Sequence, residues 1–361
     1  MILAVIFCGI FSFIVSYALS QWLLKNAGIF SKGRRVFAER VRLHKKGVPR
    51  LGGIAIFGSF YATLLLIFIF KRDLFYNREI KLVGVFLASA IIVATGIYDD
   101  LIKRLGYKVK FALQILAVIV VIIFGYNIKI ITNPLGGEIY VGFLGPIFVL
   151  LWMLAVINAI NLIDGLDGLA CGIATVACAS FFIIALSQNN IFLALIIISI
   201  IGANLAFLRY NFYPAKLFLG DSGSFFLGFM LAVLVMESYI KRSAVISLSV
   251  PFLTLFIPMG SVVFTFSRRI AAARNPFRPD RMHLHYRFLR AGVSHRNTVL
   301  IYLCITLIYA TLGTFCFFLP KKFELTIIVF AGVTIWCFYM WVSHFMSTRQ
   351  KFKKRASKQY S

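Results

Sequence analysis

The chain has 361 residues, is 61% hydrophobic and only 14% charged, and carries a formal net charge of +26. Soluble domains carry about 25% charged residues, so a water-exposed globular protein is excluded. In a soluble chain this basicity would point to nucleic acid; here its distribution points elsewhere.

The apolar residues form continuous runs rather than stripes of helix or strand period. Taken in chain order, runs of membrane-crossing length fall at 2–24, 51–70, 81–98, 111–126, 141–158, 169–187, 191–208, 217–237, 243–266, 298–318 and 325–345. Unsatisfied backbone groups are costly in lipid, so these eleven spans are expected to be helices. The first run lacks a basic leader and is long for a signal peptide, so it is read as a retained helix. Gln188, Asn189 and Asn190 leave room only for a tight hairpin between the sixth and seventh spans. Pro251 and Pro258 predict a kink in the ninth. The expected fold is an all-α polytopic membrane protein, with one membrane domain over 1–345 and a basic tail over 346–361.

Placing the N-terminus outside puts 29 of the 38 Lys and Arg on inner loops and the tail. That bias is the positive-inside pattern, and it predicts a cytoplasmic C-terminus. The basic tail is equally readable as a contact for anionic lipid or as a topogenic signal. None of the six Cys residues forms a C-x-x-C pair, so no redox or metal role follows from them.

Acids are scarce, with only 12 Asp and Glu in the chain. On this topology Asp99, Asp100, Asp164, Asp167 and Asp221 all gather at the inner ends of spans. Ionisable groups beside apolar helices are costly and are functional candidates by default. One such Asp is ordinarily a solvated helix end; five on one face of an acid-poor chain predict a site. Asp99 and Asp100 point about 100° apart on a regular helix, so both cannot aim at one ion. Asn158, Asn161, Asp164 and Asp167 recur every three residues and would line one helical face. Gly165 and Gly168 then loosen that helix. Leu219-Gly220-Asp221-Ser222-Gly223-Ser224 sets an acid among small residues, suited to Mg²⁺ and a phosphate. Arg278, Arg281, His283, His285 and Arg287 on the last inner loop suit a diphosphate; a zinc site there lacks ligand spacing.

These motifs resemble the polyprenyl-phosphate N-acetylhexosamine-1-phosphate transferases, a superfamily that includes the phospho-N-acetylmuramoyl-pentapeptide transferases. The matching blocks are His44-Lys-Lys-Gly-Val-Pro49-Arg50-Leu-Gly52-Gly53, Asp99-Asp100, Lys110-Phe-Ala-Leu-Gln114, Asn158 to Leu169, Asn211 to Ser224, and Arg278-Pro-Asp280-Arg281-Met-His283-Leu-His285. The resemblance implies transfer of a sugar-1-phosphate from a UDP-sugar to undecaprenyl phosphate at the plasma membrane, releasing UMP and feeding envelope polysaccharide synthesis. It implies Mg²⁺, with Mn²⁺ as the substitute. It places Asp99, Asp100 and Asp221 in catalysis, and Asp221, Asp100 and Asn161 as the metal-binding residues. His44, Arg50, Lys110, Asn158, Asn161, Asp164, Asp167, Lys216, Arg281, His283 and His285 match substrate-binding positions. A homodimer is compatible with this reading, and nucleic acid is not a partner.

The chain departs from the family pattern in three places. Phe30-Ser-Lys-Gly-Arg34 lacks an Asp-x-Pro, Ser261 stands where an acid is usual, and Tyr286 replaces a third His. The Pro-Asp-Arg and His-Leu-His loop favours N-acetylglucosamine-1-phosphate, with the pentapeptide substrate or another UDP-N-acetylhexosamine as alternatives. An ion-coupled transporter is the competing class; it predicts mid-membrane charges and inverted repeats, and neither is visible.

Overall fold

A computed structural model of the chain describes residues 2–30, 37–38, 48–102, 104–132, 138–240, 249–271, 288–289, 291–319 and scattered positions within 326–340. Its helices are α1 (Ile2–Lys25), the short α2 (Ala27–Phe30), α3 (Gly52–Phe70), α4 (Glu79–Ile97), α5 (Tyr107–Ile123), α6 (Gly145–Ile163), α7 (Leu169–Ser187), α8 (Ile191–Asn211), α9 (Gly220–Ile240), α10 (Ser249–Thr254), α11 (Phe256–Ala271) and α12 (His295–Phe318). Two small antiparallel ribbons, 37–38 with 48–49 and 130–132 with 138–140, decorate the loops. The protein is an all-α, multi-pass membrane protein.

Among the described residues, eight helices are long and apolar enough to cross a bilayer. They correspond to eight of the eleven predicted runs. The run at 111–126 is α5, a 17-residue helix. The run at 243–266 is divided between α10 and α11. Pro258 has no N–H for the carbonyl of Thr254, the residue at which α10 stops. The last run is described only at scattered helical positions. The predicted end of the fifth run at 158 is too early, because α6 continues to Ile163.

The tight hairpin is present. Asn190 caps α8, its side chain accepting from the Leu193 N–H at 3.4 Å.

Burial is graded from the middle outward. In the apolar stretch of α9, 89% of the residues are buried, against 22% in that of α1. Helices α3, α4, α6 and α7 surround α9. The periphery carries exposed Phe7, Trp22, Leu65, Ile119 and Leu151, which is unfavourable in water and natural against lipid.

In lipid, helices associate through close packing and interhelical hydrogen bonds rather than a hydrophobic drive. The contact of α1 with α8 follows that rule. Ser12 donates to the Ser199 carbonyl at 2.6 Å, and Ser16 to the Ala203 carbonyl at 2.8 Å. A Cβ on Gly202 would lie 2.3 Å from the Gly9 carbonyl oxygen. Gly202→Leu therefore pushes α1 off α8. It is expected to cost about 1–3 kcal/mol, read as a lowered melting temperature of the detergent-purified protein.

Candidate active site

Two loops at one end of the bundle are joined before any acid is placed. Phe218 donates its N–H to the Pro49 carbonyl at 2.8 Å, and Gly52 and Gly53 donate to the carbonyls of Phe218 and Leu219 at 3.0 and 3.1 Å. This short parallel contact between Arg50 and Phe218 brings the start of α3 to the start of α9. It accounts for two motifs, 44–53 and 219–224, that lie far apart in sequence.

The end of α4 then supplies the acids. Residues Tyr98–Ile102 form a wider π-helical turn, so the regular-helix geometry assumed for Asp99 and Asp100 does not apply. The two carboxylates still diverge, but each contributes an oxygen to a cluster with Asp221 in which the atoms lie within 4.8 Å of one another.

Asp100 faces the N-terminus of α9. Its Oδ1 accepts from the Asp221 N–H at 3.1 Å, and its Oδ2 accepts from the Ser222 N–H and the Ser222 hydroxyl, both at 3.1 Å. Free N–H groups at a helix start favour a carboxylate, and here the cap comes from another helix. The Arg50 guanidinium stands 3.9 Å away. Gly220 makes the approach possible: its φ is +75°, and a Cβ there would meet Asp100 Oδ2 at 2.5 Å.

Asp99 and Asp221 share a cation. The Lys110 ammonium, in the first turn of α5, lies 2.8 Å from Asp99 Oδ2 and 2.6 Å from Asp221 Oδ2. Asp99 Oδ1 accepts the Leu105 N–H at 2.6 Å. Asp221 is the accessible acid: its side chain is 20% exposed against 5% for Asp99 and 0% for Asp100.

Helix α6 brings the amides. The Asn161 side-chain nitrogen donates to Ser224 Oγ at 2.9 Å and faces Asp221 Oδ1 at 3.5 Å. One turn earlier, Asn158 donates to Gln114 Oε1 on α5 at 2.8 Å.

The four residues spaced by three do not share one helical face, which corrects the periodic reading. The helix stops at Ile163, and Asp164 and Asp167 lie in the turn leading to α7. Gly168, with φ +81°, closes that turn. Both acids are buried. Asp167 Oδ2 accepts the Ala215 N–H at 3.1 Å, while its own N–H donates to His295 Nε2 at 3.0 Å.

Lys216 is exposed on the loop before α9. His44, Arg281, His283 and His285 lie outside the described residues, as does the basic tail.

Sequence reasoning passed over His295 and the structural side of Asn211. His295 stacks on Tyr213 with ring centroids 4.4 Å apart. Asn211 accepts the Gly168 N–H at 3.0 Å and donates to the Leu217 carbonyl at 2.9 Å. Together they tie the 164–168 turn to the 211–219 loop. Neither residue carries a local pattern that announces this; the partners are distant in sequence.

A hard divalent cation takes oxygen ligands at close quarters, and the cluster of Asp99, Asp100 and Asp221 offers them. The position between Asp99 and Asp221 is one where positive charge is already held, by Lys110. The donor set therefore fits such an ion, with Asp221 as the most open ligand and Asp100 largely committed to backbone.

The profile described as "Glycosyl transferase family 4" matches residues 82–239, the stretch from α4 through α9. A Bacillus subtilis (strain 168) protein, "Probable undecaprenyl-phosphate N-acetylglucosaminyl 1-phosphate transferase", is 32% identical over 82% of this chain and 76% of its own. The chain belongs to glycosyl transferase family 4. A second relative in the family is the decaprenyl-phosphate N-acetylglucosaminephosphotransferase of Mycobacterium leprae (strain TN), 34% identical over 78% of this chain and 76% of its own. The undecaprenyl-phosphate alpha-N-acetylglucosaminyl 1-phosphate transferase of Thermotoga maritima is 31% identical over 88% of this chain and 92% of its own. Asp99, Asp100, Lys110, Asn161 and Asp221 all fall inside the stretch matched to the family.

Proposed function

We propose that this glycosyl transferase family 4 enzyme transfers N-acetylglucosamine-1-phosphate from UDP-N-acetylglucosamine to undecaprenyl phosphate, at the cytoplasmic face of the plasma membrane. The observation that carries this reading is the Asp99–Lys110–Asp221 bridge at the ends of membrane helices. A water-borne nucleotide and a membrane-borne phosphate meet at that level. The excess of Lys and Arg on loops of the same side supports the orientation.

The reaction forms a bond from a lipid phosphate oxygen to the β-phosphorus of the nucleotide sugar. It breaks the bond from that phosphorus to the bridging oxygen, and UMP departs with the electron pair. Phosphoryl transfer is governed by positioning and charge neutralisation. A lipid phosphate is already anionic near neutral pH, so the transfer asks little of a general base, the role the family resemblance would give Asp99. Asp99 instead holds Lys110, whose ammonium is free to exchange a carboxylate for a phosphate oxygen. Asn161 orients Asp221, and Asp100 with Arg50 fixes the start of α9. Asp221 and Asp99 would hold Mg²⁺, which supplies charge neutralisation for the diphosphate. Products of this kind would enter envelope polysaccharides such as teichoic acid or lipopolysaccharide.

The purified full-length protein, given UDP-N-acetylglucosamine, undecaprenyl phosphate and Mg²⁺, is expected to release UMP. EDTA should stop release and added Mg²⁺ restore it. UDP-N-acetylmuramoyl-pentapeptide should be a poorer donor in the same assay. Absence of UMP with every UDP-sugar tested would overturn the transferase reading; faster release from the pentapeptide donor would overturn the sugar assignment.

A further inference from the structure

The end of the bundle opposite the acids holds a cavity of about 170 Å³, walled by α3, α4, α8, α9 and Tyr126. Arg78 and Lys81, at the start of α4, lie about 30 Å along that helix from Asp99. The cavity therefore lies at the depth of the other leaflet and takes no part in the acidic site.

Its lining combines an apolar body with two cations and a single carboxylate. The Arg78 guanidinium carbon stands 4.4 Å from the Phe192 ring centroid, and the Lys81 ammonium 5.2 Å from that of Tyr126. Among the described residues, neither cation has an ion-pair partner. Glu237 is the one carboxylate in the lining, and it lies against the Tyr126 hydroxyl. Two cations thus face one carboxylate already engaged by a phenol. Lys81 stands in the first turn of α4 and Arg78 at its N-cap, the end at which the backbone dipole disfavours a cation; Glu79, whose carboxylate accepts the Arg78 N–H at 3.0 Å, is the acid of that turn. An anion between the two cations would relieve that repulsion. Its remainder must be apolar, because the rest of the wall is Phe60, Val85, Leu193, Val233 and similar side chains. Basic pockets between membrane helices take lipid headgroups, and aromatic rings favour the same depth.

We propose that this cavity is a phospholipid site, in which Arg78 and Lys81 hold the phosphate of an anionic lipid and the aromatic wall receives the start of its acyl chains. The site is independent of the transferase reading.

Native mass spectrometry of the full-length protein from detergent micelles, with phosphatidylglycerol, phosphatidylcholine or inorganic phosphate added, tests it. Wild type should retain phosphatidylglycerol in preference to phosphatidylcholine. R78A/K81A should retain it roughly tenfold more weakly. V233F, which fills the cavity without altering charge, should weaken it similarly and serves if the double variant folds poorly. Millimolar inorganic phosphate should not displace the lipid. Retention of phosphatidylglycerol by V233F at the wild-type level, or by a folded R78A/K81A at that level, would overturn the proposal. Displacement by inorganic phosphate would do so too, marking a site for free anions. UMP release by folded variants is expected to match wild type.

Discussion

Asp221→Asn should lower UMP release by about 10²–10³-fold, the scale of losing a preorganised electrostatic group at a reacting phosphate. The substitution keeps the shape of the side chain and removes its charge. Asp221 is the most exposed of the clustered acids, and its carboxylate holds Lys110 at 2.6 Å. The helix behind it is unaffected, since the Asp221 N–H still donates to Asp100. Melting temperature should therefore stay near the wild-type value while turnover falls. Single-turnover UMP release with saturating donor and lipid phosphate makes the comparison. Full activity in this variant would remove Asp221 from both metal binding and charge neutralisation.

Asp100→Ala should behave differently although the two acids are neighbours in space. Its side chain is fully buried and receives two backbone N–H groups and one hydroxyl from the start of α9. Truncation leaves those donors and Arg50 without their acceptor in a buried setting. The expected cost is roughly 3 kcal/mol or more, seen as a large drop in melting temperature together with lost activity. Asp100→Asn should recover only part of it, because the amide nitrogen presents a donor to donors. Wild-type melting with activity abolished would instead make Asp100 a direct ligand of metal or substrate.

Ser261 is buried in α11, where its hydroxyl donates to the Ile257 carbonyl at 2.9 Å, so a helix-facing hydroxyl stands at the position of the usual acid. The carboxylates of Asp99, Asp100 and Asp221 form their cluster without it. Tyr286 and the missing Asp-x-Pro near Phe30 fall in or beside segments outside the described residues.

Composition and run length were enough to read a polytopic helical membrane protein, because lipid leaves a spanning backbone few alternatives to the helix. The rarity of acids marked Asp99, Asp100, Asp164, Asp167 and Asp221 alike, since each carries a cost in an apolar chain; the structure gathers only Asp99, Asp100 and Asp221 into one cluster. Their division of labour was not legible. It depends on a π-helical turn at 98–102 and on the loop contact between Arg50 and Phe218, both set by long-range packing. The three-residue spacing from Asn158 to Asp167 misled for the same kind of reason. A period describes one continuous helix, and the chain turns at Asp164, after which Asp167 is held by Ala215 and His295 from elsewhere in the bundle. The gathering of acids at one end of the membrane was thus a property of the sequence. Which acid caps a helix and which shares the lysine was decided only when α4, α5 and α9 met, because a carboxylate's role is set by the donors around it.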